Sequence, residues 1–253
     1  MSKELDVAIK AARQAGEILK ENFHKANPRT LKEGGSWVTE VDKLSERKII
    51  SIIKENFPSH SIIAEESGLA KKDSEYLRLI DPLDGTTNYA THLPFFAVSI
   101  ALAINRGVVL GVVYDSIHEN LYSAEKGKGA KLNNSPVGVS QTEELRQSMV
   151  GYARPKKVKE RFVEIFAKVE LASRTPKILG SMALELCYVA DGNLDAAILI
   201  KPNGWDLAAG ALIVQEAGGK ATDFEGNPWS LDSKDILATN GEIHQELLET
   251  INH

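Results

Sequence analysis

Asp81-Pro82-Leu83-Asp84-Gly85-Thr86-Thr87-Asn88 follows the short apolar run Leu77-Arg78-Leu79-Ile80, and the layout of the chain is read outward from it. Two carboxylates three residues apart leave a strand end, and proline stiffens the turn between them. The Gly-Thr-Thr that follows can present backbone N–H groups and hydroxyls. Hard divalent cations such as magnesium take oxygen ligands from carboxylates, carbonyls and water. A phosphate oxygen can then bridge the metals while amides hold the rest of the group. The segment fits metal-assisted phosphoryl hydrolysis. Alone it reads equally as a charged turn, since Asp, Pro and Gly all form turns. Its spacing also matches the start of a calcium loop, but the further acids of an EF-hand are missing.

Upstream, Leu5, Ala8, Ala12, Ala15, Leu19 and Phe23 recur at helical spacing and predict a helix over residues 4–23. A second helix is predicted from about 41 to 56, carrying Leu44, Ile49, Ile52 and Ile53; Pro28 and Pro58 lie beyond the two ends. Lys32-Glu33-Gly34-Gly35-Ser36 reads as a loop between them. Residues 61–64 and 77–80 are brief apolar runs, and 95–104 and 108–114 are longer strands joined at Asn105-Arg106-Gly107. Residues 121–124 extend that sheet. The first half therefore reads as two helices and a mostly antiparallel sheet.

Beyond residue 147 the pattern alternates, which suggests an α/β layer. Strands are predicted at 148–152, 177–179, 194–200 and 236–238. Helices are predicted near 156–171, 181–190 and 205–217, with a last one from 242; Gly218-Gly219 suits a helix stop. The seam falls near 140–147, giving halves 1–145 and 146–253 that act as one catalytic unit.

Bulk properties exclude little. The 253 residues carry a net charge of −5, which argues against nucleic acid as a partner. A net acidic protein that binds phosphate needs bound cations. The opening Met1-Ser2-Lys3-Glu4-Leu5-Asp6 has no apolar signal core, and no run approaches the roughly 18 apolar residues of a membrane span. The single Cys187 forms no internal disulfide, and no Cys/His spacing suggests zinc. A cytoplasmic setting without a membrane partner is the expectation.

Two further acidic elements share the order and setting of the first. Ala64-Glu65-Glu66 ends an apolar run, and Gly204-Trp205-Asp206 opens an apolar helix. Taken singly, Glu65-Glu66 is a solvated turn and Asp206 a helix cap. Together the three resemble the inositol monophosphatase family. Its signatures are a strand followed by DP(I/L)DGT(T/S)N, matched by Asp81–Asn88, and a WD entering a helix that ends in EAGG, matched by Trp205-Asp206 and Glu216-Ala217-Gly218-Gly219. Alanine at 64 stands where the family usually has glycine.

This resemblance spans nearly the whole chain and implies an α+β or α/β layered sandwich with αβαβα layers. It implies two or three Mg²⁺ ions, replaceable by Mn²⁺. One ion would sit between Glu65, Asp81 and the Leu83 carbonyl, a second among Asp81, Asp84 and Asp206, with Asp81 bridging. Water oriented by Glu65 and Thr86 would attack, without a covalent intermediate. Gly85 and Thr86 would contact the phosphate at Asp84, and Asp42 would support Thr86. Lys32 and the Gly34-Gly35 loop match a segment that closes over the metals.

Substrate choice is read from fewer residues. Leu199-Ile200-Lys201-Pro202-Asn203-Gly204 carries lysine, with no acid, where the animal enzymes have an inositol-binding glutamate. Tyr152, Arg154, Lys177 and Lys201 would form a subsite for a second phosphate. Gly180, Ser181 and the run to Ala190 resemble the archaeal and thermophilic branch that hydrolyses both inositol 1-phosphate and fructose 1,6-bisphosphate. A small phosphorylated polyol or sugar is thus the expected substrate, and the family resemblance alone implies lithium sensitivity and a homodimer. The rival readings are a 3′-phosphoadenosine 5′-phosphate phosphatase and a regulatory binding protein that kept the fold. Trp205, Trp229 and His92 are read as packing residues, and Gly127-Lys128-Gly129 as a turn rather than a phosphate loop.

Overall fold

The computed structural model describes residues 2–25, 29–31, 37–70, 74–153, 159–200 and 202–253. Its helices are α1 (Lys3–Asn22), α2 (Glu40–Asn56), α3 (Thr86–Ala90), α4 (Lys159–Ala172), α5 (Met182–Ala190), α6 (Gly204–Glu216) and α7 (His244–Asn252). The first strands are β1 (Arg29–Leu31), β2 (Trp37–Thr39), β3 (Ser61–Ala64), β4 (Gly68–Ala70) and β5 (Tyr76–Asp84). Then follow β6 (Ala97–Ile104), β7 (Gly107–Asp115), β8 (Asn120–Glu125), β9 (Ala130–Leu132) and β10 (Ser135–Pro136). The last are β11 (Met149–Ala153), β12 (Thr175–Lys177), β13 (Ala196–Ile200), β14 (Lys220–Thr222) and β15 (Asp235–Thr239).

These elements stack as the expected αβαβα sandwich. An eight-stranded sheet runs β10-β9-β8-β7-β6-β5-β3-β4, antiparallel except where β3 and β5 pair parallel. One face packs on α1 and α2, the other on α5 and α6. The far side of α5 and α6 meets the five-stranded sheet β12-β11-β13-β15-β14, and α4 and α7 cover its outer face. Alternation along β6 shows why the large sheet is apolar on both sides. Val98, Ile100 and Leu102 join the core beneath α1 and α2, whereas Ala97, Ala101 and Ala103 face the core around α5 and α6.

Local chemistry sets the boundaries. Ser2 Oγ caps α1 by accepting from Leu5 N at 3.2 Å. Thr39 and Asp42 form a capping box that starts α2. Asn105 and Arg106 both take positive φ, 48° and 67°, the two-residue turn that suits a right-twisted hairpin. At the end of α6, Gly219 N donates to Val214 O at 2.9 Å and Gly218 N to Gln215 O at 3.1 Å, closing the helix as its glycines predicted.

The structure shifts one expected strand and adds detail that the sequence did not carry. The small sheet is mixed: β11 pairs parallel with β12 and β13, but β15 runs antiparallel to both neighbours. The strand predicted at 177–179 lies at Thr175–Lys177 instead, because the amides of Leu179 and Gly180 are drawn onto the Glu185 carboxylate. The short strands β1, β2, β4, β9, β10 and β14 had no predicted counterpart; five of them have three residues and β10 two, too few to show periodicity.

Candidate active site

Register brings the first acids together. Ala64 pairs with Ile80 across the parallel β3–β5 ladder, so Glu65 and Asp81 leave the sheet side by side; Glu65 N still donates to Ile80 O at 3.2 Å. Against β6, Asp81 pairs with Ser99 and Asp84 with Ala97, so β5 carries one extra residue there. Pro82 sits in this bulge, where its missing N–H costs no ladder bond. Leu83 N instead donates to Asp81 Oδ1 at 2.9 Å, and Ser45 Oγ donates to Pro82 O at 2.8 Å.

The turn ends on Gly85 at φ 87°, a left-handed conformation that a Cβ would strain, and α3 begins. Thr86 Oγ1 lies 3.0 Å from Leu83 O and 3.4 Å from Asp42 Oδ1. Asn88 Nδ2 donates to Phe95 O and Leu179 O, each at 2.8 Å, and so ties the turn to the C-terminal half. From that half Ser181 Oγ donates to Asp84 Oδ2 at 2.5 Å, and Ala183 N to the same oxygen at 2.7 Å. Asp206 arrives at the first turn of α6, where its Oδ2 accepts from Asn203 N at 2.8 Å and Nδ2 at 3.2 Å. The helix is placed by Gly111 on β7: a Cβ there would lie 2.6 Å from Ala209 O. Asp206 is therefore part of a capping arrangement and an acid of the cleft at once.

Glu65, Asp81, Asp84 and Asp206, with Gly85 and Thr86, line one cleft of about 300 Å³. Burial and repulsion raise the three aspartates. Asp81 is pushed well above the usual carboxylate range by loss of water and then by Glu65, Asp84 and Asp206. Burial, which the Ser181 and Ala183 bonds oppose, takes Asp84 to about 6. Burial and the Asp84 charge take Asp206 to about 7. Asp42 also rises to about 6 through burial, although Thr39 donates to it twice. None of the ion pairs among the described residues involves Asp42, Asp81, Asp84 or Asp206. Among the described residues no three acidic or histidine groups converge on one point as they stand; the donors line the cleft wall. Carboxylates with the Leu83 carbonyl are nonetheless a hard, anionic oxygen set, the chemistry a divalent cation such as Mg²⁺ requires.

Of the other predicted site residues, Gly180 lines the cleft, and Ser181 lies buried beneath it, bonded to Asp84. Tyr152 is not brought there. Its side chain is fully buried, with the ring against Phe162 and Phe166 in the core under α4. Lys177 lines a separate depression with Met149 and Tyr188. Arg154, Lys201, Lys32 and Gly34-Gly35 lie outside the described residues. Ser45, Glu46 and Glu185 support the site and were missed. Glu46 is buried and accepts from Glu66 N at 2.8 Å. A sequence signal existed, since Asp42, Ser45 and Glu46 interrupt the helical stripe that continues through Ile49 and Ile53. The Gly127-Lys128-Gly129 amides hold no external anion: Gly127 N and Gly129 N donate to Glu216 at 2.7 and 2.8 Å. His92 is structural, its Nδ1 2.7 Å from Phe23 O.

The chain belongs to the inositol monophosphatase family, whose model matches residues 1–253. It is 40% identical to the Nus factor SuhB of Haemophilus influenzae, covering 99% of this chain and 96% of that one. Inositol monophosphatase 1 of Solanum lycopersicum is 38% identical, over 98% and 94% of the two chains. The crystal structure of the extragenic suppressor protein suhB from Bartonella henselae superposes with a TM-score of 0.95 at 32% identity, covering 99% of each chain. Among the described residues no helix is long and apolar enough to cross a membrane.

Proposed function

We propose that this protein hydrolyses phosphate monoesters of small polyols, inositol 1-phosphate foremost, with Mg²⁺ as its cation. The observation that carries the reading is the meeting of Glu65, Asp81, Asp84 and Asp206 beside Gly85 and Thr86 in one cleft. Glu65, Asp81, Asp84, Asp206 and the Leu83 carbonyl would hold the cations. When bound, Mg²⁺ supplies positive charge to phosphoryl oxygens and makes a water more acidic. Glu65 and Thr86 orient the attacking water, and Asp42 with Leu83 O fixes the Thr86 hydroxyl. The Gly85 and Thr86 amides hold the phosphate, and Gly180 bounds the space beyond it. Residues 1–145 and 146–253 act as one unit, because Asp84 comes from the first half and its donors Ser181 and Ala183 from the second.

The relatives named inositol monophosphatase support a polyol monoester. The expected second-phosphate subsite loses two of its four members, since Tyr152 is in the core and Lys177 faces elsewhere. Fructose 1,6-bisphosphate therefore ranks below inositol 1-phosphate. The relatives named Nus factors keep a regulatory binding role as the second reading, and with it the expectation of no nucleic-acid partner loses its support. Phosphate release from inositol 1-phosphate, fructose 1,6-bisphosphate and 3′-phosphoadenosine 5′-phosphate, with and without Mg²⁺, tests this. Mg²⁺-dependent release, fastest from inositol 1-phosphate, is expected; no release from any of the three overturns it.

A further inference from the structure

Helix α5 reads Met182-Ala183-Leu184-Glu185-Leu186-Cys187-Tyr188-Val189-Ala190, and Glu185 is its only charged residue. That side chain is completely buried, an unfavourable place for a carboxyl group unless it is bonded. Its two oxygens differ. Oε1 accepts from Leu179 N at 3.0 Å and from Gly180 N at 3.1 Å, whereas Oε2 is buried without a partner. Burial lifts its pKa to about 8 and so favours the neutral acid, while the bonds to the turn all fall on one acceptor oxygen.

The turn held by Oε1 touches the N-terminal catalytic segment in three places. Leu179 O accepts from Asn88 Nδ2 at 2.8 Å. Gly180, at φ 87°, lies so close to Asn88 that a Cβ would come within 3.0 Å of its amide. Ser181 Oγ and Ala183 N both bond Asp84 Oδ2. Without an acceptor at Glu185, the Leu179 and Gly180 amides would lose their partner and the turn would be free to relax.

We propose that Glu185 is a positioning residue that pins the Leu179–Ser181 turn and thereby fixes the Asp84 carboxylate across the junction of the two halves. Its consequence for turnover rests on the phosphatase reading; its consequence for Asp84 and the turn does not. Glu185 acts in this role through the turn, without touching substrate.

The full chain is compared with Glu185→Gln, Glu185→Leu, Glu185→Asp and Ser181→Ala by Mn²⁺ titration calorimetry, by hydrogen exchange over residues 179–184, and by kcat and KM for inositol 1-phosphate. Glu185→Gln keeps an oxygen in the acceptor place and is expected within about twofold of the parent throughout. Glu185→Leu is expected to lower kcat by about 10²-fold with KM little changed, as a misplaced group does. It should also weaken Mn²⁺ binding and speed exchange at 179 and 180. Glu185→Asp, too short to reach both amides, gives the same result in a smaller degree if the leucine variant does not fold. Ser181→Ala should weaken Mn²⁺ binding without speeding exchange at 179. A folded leucine or aspartate variant with parental exchange and Mn²⁺ affinity overturns the proposal, as does a glutamine variant as impaired as the leucine one. If the parent releases no phosphate, the phosphatase reading fails, while exchange and Mn²⁺ titration still decide the role of Glu185.

Discussion

Buried acids serve opposite ends in two parts of the molecule. At the seam between the halves, Asp195 is surrounded by donors. Its Oδ1 accepts from Ser140 Oγ at 2.6 Å and its Oδ2 from Met149 N at 2.7 Å, and Asn240 Nδ2 donates to the same Ser140 Oγ at 3.0 Å. In the cleft, Asp81 has Glu65, Asp84 and Asp206 as its electrostatic neighbours, and all three oppose its ionisation. A carboxylate ringed by donors stabilises a fold, whereas carboxylates facing each other destabilise it unless a cation joins them. The contrast separates acids that build the scaffold from acids that the scaffold holds ready.

Asp84→Asn should break the cleft side of that contrast most severely. Phosphate release is expected to fall about 10³-fold, while the thermal midpoint stays level or rises, because a repelling charge has gone. Full activity in this variant would remove the role given to the acid cluster. Asp195→Ala should do the reverse. Leaving Met149 N and Ser140 without their acceptor is expected to lower stability by about 2–3 kcal/mol, seen in urea denaturation, with kcat/KM changed less than about threefold.

Titration sharpens the comparison further. The folded values near 6 for Asp42 and Asp84 and near 7 for Asp206 all lie above the ordinary 3.8. The folded state therefore binds more protons than the unfolded one between about pH 4 and 7, and stability falls as pH rises through that window. Metal-free protein should melt a few degrees lower at pH 8 than at pH 5. Mg²⁺ affinity, which needs ionised carboxylates, should strengthen over the same interval. A melting point independent of pH would contradict this. The smallest effect is expected at Glu216→Ala, which frees only the Gly127 and Gly129 amides near the surface. A loss of about 1 kcal/mol with unchanged turnover is the expected result.

Much of this was legible where a pattern had length or rigidity behind it. The stripe from Leu5 to Leu19 forecast α1 within a residue or two, and the apolar run at 61–64 coincides with β3. The acids Glu65, Asp81, Asp84 and Asp206 were legible because each terminates a strand or opens a helix. The supporting groups were harder to see, since their roles depend on what another element presents. Glu185 holds a turn whose Leu179 carbonyl meets Asn88, 91 residues earlier in the chain, beyond any local period. Tyr152 misled for a related reason. Strand alternation gave it either face, and only packing against Phe162 and Phe166 sent its hydroxyl away from the cleft.

The additional residue in β5 opposite Ser99 and Ala97 has a geometric consequence. In an unbroken strand, positions three apart point to opposite sides of the sheet. Asp81 and Asp84 are three apart, so a regular ladder would send one of them into the hydrocarbon layer under α1 and α2. The irregularity at Pro82 resets the parity and lets both reach the same opening. A regular ladder that kept two residues between the acids would make one of them a stranded charge, so the bulge is what that spacing requires.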